Sequence, residues 1–179
     1  MRYQAAPRPE APSLTRLGPP LQPPPTVVAW PAILKGKTVP HDLILAPMGV
    51  LALLTFVALS IVPIRRFRAA FAGQVGAGDF KYGESPRVPG EVSIPNRNYM
   101  NLLELPVLFY VICLIYFVTG PAVTAVTLGL AWAYVGLRLL HSLVHLTYNN
   151  VMHRLAAFAT SNFVLAALWI LFFANYSPG

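Results

Sequence analysis

Residues 97–119 read RNYMNLLELPVLFYVICLIYFVT, and this stretch decides the fold. From Asn101 to Thr119 it is almost wholly apolar and long enough to cross a bilayer as a helix. Arg97, Asn101 and Glu104 stand four and three residues apart, so a helix would place them on one face. A charged side chain near mid-membrane costs about 2.5–3.5 kcal/mol on insertion scales. The presence of Glu104 there predicts that its carboxylate binds something.

The composition indicates an integral membrane protein. Of the 179 residues, 56% are hydrophobic and only 11% are charged, which is outside the usual range for a soluble domain. The chain contains runs of about 20 apolar residues, the length that crosses a hydrocarbon core. These runs cover residues 43–64, 101–119, 122–146 and 155–174. Short connections join the last three, which predicts an all-α, up-down four-helix bundle in the membrane, with helices of about 43–66, 98–119, 122–148 and 153–176.

Basic residues cluster between the first and second apolar runs and set the expected topology. They are Arg65, Arg66, Arg68, Lys81, Arg87 and Arg97. By the positive-inside rule this loop is cytoplasmic, so both termini lie on the non-cytoplasmic side, although Lys35 and Lys37 weigh weakly against this. The formal charge of +7 thus indicates topology rather than a nucleic-acid partner. The glycines and prolines within 67–98 predict an irregular, exposed loop.

Residues 1–40 hold ten of the 18 prolines and differ in composition from the rest. Proline at this density predicts an extended or disordered tail beside a membrane domain of residues 41–179. The tail is either a plain tether or a docking arm for another subunit of a larger membrane complex, and the sequence leaves both open.

The third apolar run carries a second polar stripe. Tyr134, Arg138, His141 and His145 recur at spacings of four, three and four, so they share one helix face. Arg154 begins the fourth run on the same side of the membrane. Together the two stripes predict one pocket that opens to the cytoplasm.

This pocket would combine several cations with one carboxylate and with the amides of Asn101 and Asn150. That set suits a zwitterion with an excess of negative charge, such as glutathione, because arginine holds carboxylates in bidentate fashion and lowers the pKa of a nearby thiol. We also expect the second helix to start near Arg97, where its positive dipole end would favour an anion.

The same residues allow two other interpretations. Glu104 and Arg138 could form an intramembrane ion pair that joins two helices and binds nothing. His141 and His145 could ligate a metal or a haem iron together with Glu104. No second carboxylate or cysteine stands nearby to complete a usual ligand set, and we predict no metal site.

Two motifs carry a resemblance to a known family. The run from Arg97 through Asn101 to Glu104, followed by Pro106, resembles the R-x-x-x-N-x-x-E signature of MAPEG proteins, the membrane-associated proteins in eicosanoid and glutathione metabolism. Arg138 and His141, with Arg154 sixteen residues after Arg138, resemble the signature of the microsomal prostaglandin E synthase branch and of bacterial members.

The resemblance implies a homotrimer in a bacterial inner membrane, surrounded by lipid, with glutathione as co-substrate bound between neighbouring subunits near the cytoplasm. Arg97, Asn101 and Glu104 would hold its backbone, and Arg138 and His141 would line the site. Arg154 and His145 would be the catalytic residues: Arg154 would stabilise the thiolate, and His145, which stands where the family usually has tyrosine, would donate a hydrogen bond. Asn150 stands where some members have a further arginine.

The predicted activity is a glutathione-dependent transferase or peroxidase acting on a lipophilic small molecule that enters from the lipid phase. The competing hypothesis is a non-catalytic member that serves as a structural or accessory subunit. A polar staple between helices and a docking tail would both suit that second role.

Overall fold

A computed structural model of the chain describes residues 37–119 and 123–175. Within these ranges the chain is helical, and the only strand-like pairings are isolated bridges such as Thr38 with Thr124. The helices are α1 (Leu45–Phe71), α2 (Gly90–Leu103), α3 (Pro106–Thr119), α4 (Ala125–Leu146) and α5 (Val151–Asn175). The predicted tail of 1–40 lies outside the described residues except for its last four, as does most of the predicted turn after Thr119.

Four segments of the described chain are long and apolar enough to cross a membrane. α1, α4 and α5 each supply one, and α2 and α3 together supply the other. Large apolar side chains such as Phe56, Phe163 and Phe173 are exposed on their outer faces, as expected of helices that face lipid. The structure confirms the predicted all-α bundle of four membrane-spanning segments.

The core lies along the inner faces of these helices. α4 packs mainly against α5, and α1 packs mainly against α2. Aromatic pairs link the neighbouring elements: the rings of Phe109 and Tyr134 stack at 4.6 Å, and those of Tyr116 and Phe172 meet edge-on at 5.3 Å. Such pairs contribute about 0.5–1.5 kcal/mol each beyond the area they bury. They fix α4 and α5 against α3.

The second span differs from the single helix of about 98–119 that the sequence predicts. It begins at Gly90 and is interrupted at Glu104 and Leu105, before α3 starts at Pro106. The cause is Pro106, which has no N–H to donate to the carbonyl four residues earlier and which disfavours helical geometry at Leu105. The last backbone bond of α2 runs from the Glu104 N–H to the Met100 carbonyl, at 3.2 Å. Glu104 therefore lies at a helix end rather than inside a helix.

The loop between α1 and α2 is shorter and better ordered than the predicted irregular stretch of 67–98. It covers 72–89 and holds a small apolar cluster in which Val75 and Val88 are buried. Arg66 on α1 forms an ion pair with Glu84 at 2.9 Å. Asp79 accepts hydrogen bonds from the Gly76 N–H and from Arg87, and these hold the pKa of Asp79 below its usual range. One ion pair and apolar packing thus tie the loop to the carboxyl-terminal end of α1.

Candidate functional site

A pocket of about 500 Å³ lies between α2, α4 and α5. Its size falls within the range of about 300–1,000 Å³ that is usual for small-molecule sites. It is lined by Asn96, Arg97, Met100, Asn101, Glu104, His141, His145, Val151, Arg154, Leu155 and Phe158. The structure therefore brings together six of the seven site residues that the sequence predicts, and the seventh, Arg138, does not line this pocket.

The α2 wall of the pocket carries Arg97, Asn101 and Glu104, one helical turn apart. Arg97 and Glu104 are exposed, and Asn101 is half-buried. The described residues, 37–119 and 123–175, form two ion pairs, Arg66 with Glu84 and Arg87 with Asp79. Glu104 belongs to neither pair. The Glu104 carboxylate therefore faces the pocket without a cationic side chain attached to it.

At the pocket, α2 presents the negative end of its helix dipole, whereas the sequence predicts the positive end. The helix starts at Gly90, seven residues before Arg97, and it ends at Leu103 beside Glu104. The sequence predicts that the helix starts where polar residues give way to apolar ones, but the polar residues before that point belong to α2 as well. The pocket therefore meets the carboxyl end of α2, whose dipole favours a cation. This end and Glu104 together form the negative side of the pocket.

The first turn of α5 forms another wall of the pocket, and this wall is positive. Asn150 caps this helix, because its Oδ1 accepts hydrogen bonds from the N–H groups of Met152 and His153 at 2.9 and 3.1 Å. The sequence predicts the amide of Asn150 in the pocket, but this amide binds the backbone at the start of α5 instead. Arg154, in the same turn, adds a guanidinium to the positive dipole end. The pocket is consequently polarised from α5 to the end of α2.

Arg154 is held by the turn between α4 and α5. Its Nη1 donates to the Oδ1 of Asn149 at 2.8 Å and lies 3.2 Å from the Nδ1 of His145. Its backbone carbonyl accepts from the Nδ1 of His141 at 3.1 Å, because a carbonyl can only accept. Both histidines are about 2% exposed. Arg154 therefore contacts both imidazoles, one through its side chain and one through its main chain.

Asn149 is a site residue that the sequence analysis missed. It has a φ of 47°, in the left-handed region that asparagine tolerates better than most residues. Its N–H donates to the carbonyl of Val144 at 2.8 Å, as residues that close helix ends commonly do. The adjacent Asn149 and Asn150 at the end of an apolar run are the sequence signal for this turn, since asparagine favours both left-handed closures and N-caps.

Arg138 is fully buried inside the bundle. Its Nε donates to the Tyr134 hydroxyl at 3.1 Å and its Nη2 to the Oδ1 of Asn162 at 2.8 Å. Its guanidinium lies 5.0 Å from the ring centre of Phe158, which lines the pocket. The alternative ion pair between Arg138 and Glu104 is not formed. A ligand role for Arg138 would depend on Nη1, its one buried nitrogen without a hydrogen-bond partner.

Two buried nitrogens of pocket residues, the Nε2 atoms of His141 and His145, lack hydrogen-bond partners in the described chain, as does Nη1 of Arg138 in the core. Buried polar atoms in native proteins are usually paired, so such a set points to a water molecule or ligand that completes the site. Among the described residues, no group of three or more histidine, cysteine, aspartate or glutamate side chains could hold a metal ion.

The chain matches a known protein family over most of its length. The family model described as "MAPEG family" matches residues 44–174, which is well over half of the chain and includes every helix that contributes to the pocket. No curated protein and no solved structure gave a significant match. This match confirms the resemblance to the MAPEG family.

Proposed function

The chain belongs to the MAPEG family, and on that premise we propose that it is a membrane-bound glutathione-dependent transferase or peroxidase that acts on a lipophilic electrophile. One observation carries the proposal. Residues from both predicted motifs line one pocket of about 500 Å³, with Arg97 and Glu104 on one wall and Arg154 on another, whereas Arg138 lies outside it. The multi-pass membrane fold supports a substrate that arrives through the lipid.

The charge pattern of the pocket supports glutathione as the ligand. Glutathione has two carboxylates and one ammonium group, and the pocket offers two arginines and one unpaired carboxylate. In the proposed complex, Arg97 and Arg154 bind the anionic groups. Glu104 and the carboxyl end of α2 bind the ammonium group, because both favour a positive charge. Asn101 supplies amide hydrogen bonds between these ends.

Arg154 is the proposed stabiliser of the thiolate. A guanidinium beside a thiol favours the ionised form, which is the nucleophile. Three of the five N–H donors of an arginine remain once Nη1 has used its two hydrogens on Asn149 and His145. These donors are available to the sulfur or to a carboxylate. The thiolate would then add to the electrophile, displace a leaving group from it, or attack a peroxide oxygen.

We propose that the working unit is a homotrimer with the pocket between neighbouring subunits on the cytoplasmic side. Arg97 and Glu104 are exposed in the single chain, so a neighbour could cover the open side of the pocket without displacing any packed side chain. Removing water from around these charges would strengthen their interactions with a ligand. The arginines at the end of α1 support the cytoplasmic placement.

Glutathione binding is the direct test. Calorimetry on the purified protein in detergent should show saturable binding to the wild type and much weaker binding to Arg97→Ala and Glu104→Ala. Arg87→Ala is the matched control, because Arg87 is an exposed arginine paired with Asp79 outside the pocket. If the wild type binds no glutathione and Glu104→Ala weakens only the trimer, the enzyme proposal is wrong. The protein would then be an accessory subunit.

His145 provides a separate test of the correspondence with the family. If His145 donates a hydrogen bond in the site, His145→Tyr should keep or raise thiol-transfer activity toward a generic electrophile, since a phenol is also a donor. Complete loss of activity in a folded His145→Tyr protein would show that this position does not correspond to the family tyrosine.

A further inference from the structure

We infer that Arg154 fixes His141 and His145 in opposite tautomers. A guanidinium can only donate, so the contact of 3.2 Å between Nη1 and Nδ1 of His145 is favourable only if that Nδ1 carries no hydrogen. The Oδ1 of Asn149 lies 3.3 Å from the same Nδ1 and would instead accept a hydrogen from it. The guanidinium contact decides between the two, because a charge-assisted hydrogen bond is roughly twice as strong as a neutral one. A carbonyl can only accept, so the contact of 3.1 Å between the Arg154 oxygen and Nδ1 of His141 requires a hydrogen there. The tautomer of a histidine is set by such partners.

The consequence is a matched donor and acceptor in the pocket. In its neutral form, His145 carries its hydrogen on Nε2 and presents a donor, whereas His141 presents a bare Nε2 as an acceptor. Both Nε2 atoms are buried without partners, both residues line the pocket, and the two ring centres are 5.8 Å apart. Together they suit a ligand group that accepts and donates at neighbouring atoms. On the proposed function, that group is the glutathione thiol or an amide next to it.

Asn149 is the positioning residue of this arrangement. Its Oδ1 accepts from the same Nη1 of Arg154 at 2.8 Å, which directs that nitrogen toward His145. Its own N–H is bound to the carbonyl of Val144, the residue before His145, at 2.8 Å. Asn149 therefore connects the end of α4 to the first turn of α5. Without its side-chain oxygen, Arg154 would lose one of the two contacts that orient its Nη1 toward His145.

Nitrogen-15 NMR of histidine-labelled protein tests the inference, because protonated and unprotonated ring nitrogens resonate far apart. The His141 and His145 signals can be assigned with His141→Gln and His145→Gln. In the ligand-free wild type at neutral pH we expect a hydrogen on Nε2 of His145 and on Nδ1 of His141. A hydrogen on Nδ1 of His145, or the same tautomer for both residues, would overturn the inference.

Three variants test the role of Asn149. Asn149→Gly keeps the left-handed backbone and removes the oxygen, so His145 should become a mixture of tautomers, while His141 should not change because its partner is the main chain. Asn149→Asp places a charged acceptor 3.3 Å from Nδ1 of His145, so the hydrogen of His145 should move to Nδ1, the opposite of the wild-type tautomer. Asn175→Ala, at the far end of α5, is the control and should change nothing. An unchanged His145 signal in a folded Asn149→Gly protein would show that Asn149 does not position Arg154.

The tautomers are measured without glutathione, so this test is separate from that of the proposed function. If the opposite tautomers are found and glutathione does not bind, the arrangement stands and the ligand is wrong. If glutathione does bind, Asn149→Gly should weaken that binding by about tenfold, the effect of losing one charge-assisted hydrogen bond in the orientation of Arg154.

Discussion

Replacement of Arg154 should separate the charge of this residue from its geometry. Arg154→Ala removes both the guanidinium and its two Nη1 contacts, to Asn149 and His145. Arg154→Lys keeps a positive charge but replaces the planar fork with a single ammonium group. The backbone carbonyl that holds His141 remains in both variants. The pair therefore tests whether the proposed thiolate site needs a cation or an arginine.

The expected size follows from the contacts. A hydrogen bond to a charged group contributes about 1.5–3 kcal/mol, and Arg154 would make at least one such bond to the thiolate or a carboxylate of glutathione. Losing it in Arg154→Ala predicts a decrease in kcat/KM for glutathione of about 10- to 150-fold. In Arg154→Lys the charge remains, but one ammonium must serve both Asn149 and the ligand, so we expect about a tenfold decrease.

The assay combines thiolate formation, followed by ultraviolet absorption during titration with glutathione, with conjugation of a generic electrophile. Thermal unfolding in the same detergent shows whether each variant is folded. Arg87→Lys is a suitable control because it changes an exposed arginine in the loop of 72–89 without touching the pocket. Equal thiolate absorption and equal kcat/KM in wild type and a folded Arg154→Ala protein would refute the assignment of Arg154.

Three further substitutions test other parts of the structure. Pro106→Ala restores a backbone N–H and should let α2 and α3 merge into one helix. Hydrogen exchange at residues 102–106 should then slow, and glutathione affinity should fall because Glu104 shifts. Unchanged exchange would contradict Pro106 as the cause of the break. Glu104→Gln should weaken glutathione binding but leave binding of N-acetylglutathione, which lacks the ammonium group, nearly unchanged; equal losses for both ligands would count against the ammonium contact. Asn150→Ala removes the cap of α5 and should lower the free energy of unfolding by about 1 kcal/mol, measured by denaturation in mixed micelles; no change would mean that water replaces the cap.

Much of the fold could be predicted from the sequence because it depends on length and hydropathy. Runs of about 20 apolar residues can satisfy their backbone polar groups in lipid only as helices. The grouping of Arg97, Asn101 and Glu104 at one wall could be anticipated for a similar reason, since a helix determines which residues share a face. These inferences need no knowledge of which side chains pack together.

The remaining features depend on local backbone geometry and on packing. Pro106 was visible in the sequence, but its effect on the neighbouring Glu104 became clear only from the helix end that it creates. The true start of α2 was hidden because its first turns are polar. Arg138 was expected in the pocket from its spacing, whereas Tyr134 and Asn162 hold it in the core. Asn149 acts through a single left-handed residue, which spacing alone does not reveal.

Because the membrane span is interrupted between α2 and α3, its length can change without rotating the site residues on α2. In a continuous helix, one inserted residue turns everything beyond it by about 100°. Here Glu104 remains attached to α2 with Arg97 and Asn101, and the irregular residues before Pro106 can absorb such a turn. α3 could therefore lengthen or shorten by about 1.5 Å per residue to suit a thicker or thinner bilayer. Homologous chains adapted to membranes of different thickness should vary in α3 while the polar wall on α2 keeps its alignment.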